Sequence, residues 1–185
     1  MADGTLKVGT ITTSSGSGTI TLGQSGETIN IPSGATVSGA GAMTPAFEAY
    51  LSSDQSISDD TWTKVNIDSE VYDTNPSFAS NKFTPGVAGK YFIYASVLIE
   101  TTGGHEYNLG QTGLYKNGSL FRTNRLDPES ASMIAANVPI QAVVTANDTD
   151  YFELYAYMDR TSGGTINIKT STQSTYFGAY RIIGA

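Results

Sequence analysis

An all-β fold of two packed sheets is the architecture this 185-residue chain predicts, and three observations predict it. Composition is the first: 24 Thr, 20 Ser and 20 Gly stand against 15% charged residues and no Cys, a stock of β-branched and turn-forming side chains. The second is pattern, because residues 43–185 break into short apolar or alternating runs between turn signals, without a 3.6-residue period. The third is density: eight to ten such runs in 143 residues fit a two-sheet sandwich of jelly-roll type.

Strands are expected, in order, at Phe47–Ser52 and Thr61–Ile67, where apolar and polar residues mix without a helical period. Tyr91–Ile99 is apolar on both faces, which fits a central strand covered on each side. Leu114–Phe121 reads as a hairpin, because Asn117-Gly118 supplies the two positive-φ positions of a type I′ turn. Ala136–Thr145 follows, and then the clearest strand, Phe152–Asp159. There Phe152, Leu154, Ala156 and Met158 share one face, and Glu153, Tyr155, Tyr157 and Asp159 the other. Gly164–Thr170 and Thr175–Ile183 complete the set.

A break in composition divides the chain into residues 1–42 and 43–185. All 19 aromatic residues lie from Phe47 onward, while nine of the twenty glycines fall in residues 1–42, whose only charged side chains are Asp3, Lys7 and Glu27. The first segment carries a repeat with a β-branched apolar residue at Ile11, Ile20, Ile29 and Val37, spaced by nine, nine and eight residues. Ser14-Ser15-Gly16-Ser17, Gly23-Gln24-Ser25-Gly26 and Pro32-Ser33-Gly34 separate the repeats as turns. A unit that buries one Ile gains about 1.5–3 kcal/mol, while ordering each residue costs about 1–2 kcal/mol. The missing burial must come from neighbouring repeats or other chains. Residues 1–42 are therefore expected to form a three-chain β-repeat stalk with Ile11, Ile20, Ile29 and Val37 on its axis. A flexible Gly/Ser linker is the alternative.

Net charge is -7, with 10 Lys+Arg against 17 Asp+Glu, which argues against a surface that tracks phosphates, so no nucleic-acid partner is expected. No run approaches the roughly 18–20 apolar residues of a membrane helix, so no insertion is expected. The start Met1-Ala2-Asp3-Gly4 lacks the basic and apolar regions of a signal peptide. Without Cys there are no disulfides, thiol nucleophiles or Cys-based zinc sites, and the single His105 rules out a multi-His metal site. His105 sits in a loop with no adjacent nucleophile or orienting acid, so no catalytic residue and no enzyme activity are expected. Asp59-Asp60 and Asp148-Thr149-Asp150 offer oxygen ligands that suit Ca²⁺, but without EF-hand spacing. Asp148 and Asp150 are better explained as turn residues before the Phe152 strand, and no cofactor is expected. Trp62 is expected in the core or at an interface rather than stacked on a sugar.

Phe83-Thr84-Pro85 followed by Gly89-Lys90-Tyr91-Phe92 resembles the core motif of the C1q/TNF-like trimeric jelly rolls. Ile67, Asp73 and Phe78 lead into that motif. Leu114-Tyr115-Lys116-Asn117-Gly118, then Asp150-Tyr151-Phe152-Glu153-Leu154, then Thr175-Tyr176-Phe177-Gly178 continue it in order. On this resemblance Phe83, Gly89, Tyr91, Phe152 and Gly178 belong to the family core. What the resemblance implies is a homotrimer in which aromatic residues of one sheet meet near the three-fold axis. Tyr151, Tyr155 and Tyr157 are the expected interface residues, since that many outward-facing rings are unusual on a monomer.

A Gly/Ser/Thr-rich β repeat ending in such a head is similar to bacteriophage fibre proteins, particularly the short fibres of marine phages. That resemblance implies a structural virion protein, assembled in the host cytoplasm. Met1–Val8 would anchor to other virion proteins, and the distal knob would meet a glycan or protein of the host surface. A capsid-decorating fibre without a receptor role and a secreted C1q-like binding module are the alternatives.

Overall fold

The computed structural model describes residues 10–11, 20–33, 35, 43–103, 107–128, 133–161, 163–170 and 174–182. The chain divides into two units, Met1–Ser38 and Gly39–Ala185.

In the first unit the described residues carry turns and no strand. Gly26 takes φ 91° as the third residue of a turn closed by Glu27 N–H donating to Gln24 O at 3.0 Å. Ala35 N–H closes a second turn on Pro32 O at 3.1 Å. These are two of the three turns expected between repeats. Glu27–Asn30 takes part in no strand pairing among the described residues. Ile11, Ile20 and Ile29 are 54, 41 and 58% exposed. Val37 and Met1–Val8 lie outside the described residues.

The second unit is a sandwich of thirteen described strands, with no helix among the described residues. They are β1 (Ala46–Tyr50), β2 (Gln55–Ile57), β3 (Thr63–Lys64), β4 (Ser69–Asp73), β5 (Phe78–Ala79), β6 (Lys82–Phe83) and β7 (Gly89–Thr101). The rest are β8 (Tyr107–Lys116), β9 (Ser119–Leu126), β10 (Ala135–Ala146), β11 (Phe152–Arg160), β12 (Ile166–Ile168) and β13 (Tyr176–Ile182). All pairings are antiparallel. The first sheet runs β4-β1-β13-β7, with β10 along the far edge of β7 and β12, then β2, continuing the β13 side. The second runs β5-β6-β11-β8-β9, with β3 also on β11.

Alternation sets what each sheet buries. Tyr91, Ile93, Ala95, Val97 and Ile99 of β7 face Phe152, Leu154, Ala156 and Met158 of β11 across the core, all buried. Phe47 of β1 is the hub of an aromatic cluster, with ring centroids 4.6 Å from Phe78, 4.7 Å from Phe83 and 5.1 Å from Phe177. Phe83 continues it to Tyr91 at 5.7 Å and Phe152 at 6.3 Å. Of the five motif residues, Phe83, Tyr91 and Phe152 pack in this cluster, and Gly178 admits a ring. A Cβ on Gly178 would lie 2.4 Å from Tyr94 Cζ. Gly89 does the same for Arg181, whose Nε would be 2.9 Å from an added Cβ.

Asn117 (φ 52°) and Gly118 (φ 76°) make the expected hairpin turn, but its strands reach back to Tyr107 and on to Leu126. The strand expected over Thr61–Ile67 shortens to Thr63–Lys64. There the Gln55 side chain substitutes for a ladder, donating to Lys64 O and accepting from Asn66 N–H, both at 2.8 Å. Gly164–Thr170 likewise contracts to β12.

Candidate functional site

The outer face of the first sheet is built by the residues that alternate with its core set. On β7 these are Phe92, Tyr94, Ser96 and Leu98, and on β13 Tyr176, Gly178 and Tyr180. Phe92 lies 6.1 Å from Tyr94 and 5.5 Å from Tyr180, and Tyr94 lies 6.2 Å from Tyr176. All four rings are half-buried. Tyr94 crosses Gly178 to donate its hydroxyl to Glu48 Oε2 at 2.7 Å. Burial first, and the Glu48 carboxylate second, push the Tyr94 pKa far up, so the phenol remains a donor. Val143 of β10 and Tyr72 of β4 are exposed at the two sides of this face. Beside the rings a cavity of about 400 Å³ opens, lined by Tyr94, Tyr176, Arg122, Asn124, Pro139 and Gln141 among others. Phe92, Tyr94, Leu98, Tyr176 and Tyr180 on this face all stay partly exposed.

Tyr151, Tyr155 and Tyr157 are placed elsewhere, on the outer side of the second sheet and its approach. Tyr155 stacks on Tyr115 at 4.0 Å, and Tyr157 packs 5.4 Å from Trp62. Trp62 lies 6.0 Å from Tyr115 and over Gly113, where a Cβ would come within 2.7 Å of its ring. Trp62 is thus half-buried in a surface cluster rather than in the core. Asp60 accepts the Tyr157 hydroxyl and, as the leading cause, pushes its pKa up to about 12. Beside them Lys64 Nζ meets the mostly buried Glu153 at 2.7 Å. Trp62 and Lys64 pack over this side, and Trp62, Tyr115, Tyr155 and Tyr157 are all half-buried. Tyr151 stands apart under Lys82, whose Nζ is 4.7 Å from its ring.

Of the carboxylates that suit Ca²⁺, Asp148 and Asp150 behave differently. Asp150 is buried and accepts from Lys116 Nζ at 2.8 Å, Asn117 Nδ2 at 2.7 Å and Asn147 N–H at 2.9 Å. Lys116 foremost, with those two donors, holds its pKa down to about 2. Asn117 Oδ1 in turn accepts from Tyr151 N–H at 2.9 Å, tying the β8–β9 turn to the loop before β11. Asp150 is the turn residue expected there, with its oxygens occupied by protein donors. Asp148 is exposed. Among the described residues no group of three or more His, Asp and Glu side chains is placed to hold a metal ion. Asp59 lies 3.6 Å from Arg160 Nε, and His105 lies outside the described residues.

No family model matches the chain, and no curated protein matches it. Solved structures do. Murine APRIL at pH 5.0 superposes with a TM-score of 0.55 at 12% identity, covering 74% of this chain and 98% of that one. The globular domain of zebrafish complement 1qA gives 0.54 at 15% identity over 75% of this chain and 97% of that one. Eiger TNF from S. frugiperda gives 0.52 at 11% identity over 76% and 93%. At such identities the likeness is one of fold, and the fold of the second unit is the jelly roll shared by C1q-like and TNF-like domains.

Proposed function

We propose that this chain is one subunit of a homotrimeric binding fibre, whose jelly-roll heads assemble through the outer face of the first sheet above a three-chain β-repeat stalk. One observation carries the reading. Strand β7 is apolar on both faces, yet its inner residues are fully buried while Phe92, Tyr94 and Leu98 on the outer face stay partly exposed. Parallel or antiparallel, a strand of that pattern belongs between two layers. The second layer is supplied by other copies. The Tyr155–Tyr157 side of the second sheet is the weaker interface because Trp62 and Lys64 already shield it. Three-fold closure follows the C1q/TNF type of the fold, and the half-exposed Ile11, Ile20 and Ile29 fit a stalk that gains its burial from the same three chains.

The finer reading places the trimer on a virion, anchored through Met1–Val8 with the head toward the host surface. What supports it is the order of the parts, repeat first and bulky domain last. A C1q-like binding module outside any virion is the second reading, favoured by the nature of the solved structures that share the fold. Arginine placed on each face separates the interfaces: Tyr180→Arg should yield monomers by analytical ultracentrifugation, and Tyr155→Arg should leave trimers. The reverse result would move the interface to the second sheet. Deleting residues 1–8 should abolish incorporation into phage particles while leaving trimers intact. A protein that no particle incorporates at all would leave the binding-module reading in its place.

A further inference from the structure

Glu48 and Arg122 pose one problem with a common solution. Glu48 lies on the outer face of the first sheet, half-buried, with the Tyr94 hydroxyl donating to Oε2. If a second copy covers that face, the carboxylate loses its remaining water and keeps only neutral donors, which is unfavourable for a buried charge. Arg122 of β9 lines the cavity beside Tyr94 and Tyr176. None of the ion pairs among the described residues includes it, and its guanidinium lies over the Phe121 ring at 5.8 Å.

A closed three-fold ring is heterologous, so two different patches of one chain must fit each other. The first sheet offers such a pair. At its β10 side lie the cavity and Arg122 of β9, an arginine with no acidic partner among the described residues. Its β1–β4 side carries Glu48 together with the exposed Val71 and Tyr72. We infer that Arg122 of one copy enters an ion pair with Glu48 of the next copy, so that the ring closes through three such pairs. The occupant is a second copy of this chain, chosen by charge complementarity. Arginine suits the task, since its planar fork matches a carboxylate and is less strongly hydrated than an ammonium. The inference rests on the proposed assembly through this face.

The test is charge reversal in the full chain, read by sedimentation over a concentration series, with near-UV circular dichroism reporting the fold. Arg122→Glu and Glu48→Arg should each raise the half-assembly concentration by at least about tenfold, the least expected for breaking a desolvated charge pair. The double variant should return it toward the wild-type value. Because Glu48→Arg also removes the acceptor of Tyr94, a neutral cycle accompanies the swap: Arg122→Gln with Glu48→Gln should assemble better than either single change. A trimeric wild type whose single variants assemble equally well overturns the pairing and leaves the assembly standing. Singles that weaken assembly without rescue in either double variant also overturn it. A monomeric wild type instead removes the assembly on which the pairing depends.

Discussion

Asp150 gives the sharpest thermodynamic test of how the head is tied together. Its carboxylate joins Lys116, the Asn117 side chain and the Asn147 N–H, so one residue links the β8–β9 turn to the loop that launches β11. These contacts hold the folded pKa down to about 2, against an ordinary aspartate value of 3.8. At 1.36 kcal/mol per pKa unit that depression corresponds to about 2 kcal/mol of stability. The pKa is lowered by folding, so the contribution is complete above the unfolded value and disappears as pH falls from about 5 through 2. Asp150→Asn keeps the size and removes the charge. Urea unfolding at equal chain concentration should find the variant about 2 kcal/mol weaker at pH 7, about 1 kcal/mol weaker at pH 3, and nearly equal to wild type below pH 2. Acid weakens other carboxylates in both proteins, so the gap between them isolates Asp150. Equal stability at pH 7, or a gap that stays constant with pH, would refute the reasoning.

Other perturbations probe the core and the stalk. Tyr107 is buried, with a hydroxyl that has no hydrogen-bond partner among the described residues, so Tyr107→Phe should stabilise the head by about 1 kcal/mol in chemical denaturation. A loss of stability would mean the hydroxyl is bonded. Ile20→Asp would set three carboxylates around the proposed stalk axis, where burial and like charge oppose ionisation. Limited proteolysis should then remove the stalk and spare a trimeric head. Equal resistance in wild type and variant, or a wild-type stalk digested as fast as a flexible linker, would argue for the linker instead.

What the sequence revealed of the head depended on how fully each strand is buried. Strands β7 and β11 were legible because a strand between two layers, or one with a clean alternation, writes its environment into its side chains. The Asn117-Gly118 turn was legible because positive φ restricts the choice of residue. Strand β9 was legible only at its first residues: Ser119-Leu120-Phe121-Arg122-Thr123-Asn124-Arg125-Leu126 is exposed along almost all its length and carries no alternation. Strands β4, β5 and β6 are too short or too exposed to show a period, and the Gln55 bonds that end β3 join residues separated by a loop. The candidate site was legible in part. Tyr155 and Tyr157 do face outward, and β7 does carry rings on both sides. Which outer face lacks a covering group depends on where Trp62 and Lys64 land, and that is set by tertiary folding. That Arg122 has no acidic partner among the described residues is likewise visible only once the ion pairs of its neighbours are known.

The central claim is that three copies supply the layer missing over Phe92, Tyr94, Tyr176 and Tyr180. Light scattering on the full chain, eluted from a sizing column at micromolar concentration, measures it directly. A single species of three times 19.5 kDa that persists on dilution is expected. A stable species of 19.5 kDa at that concentration, leaving those rings in water, would contradict it.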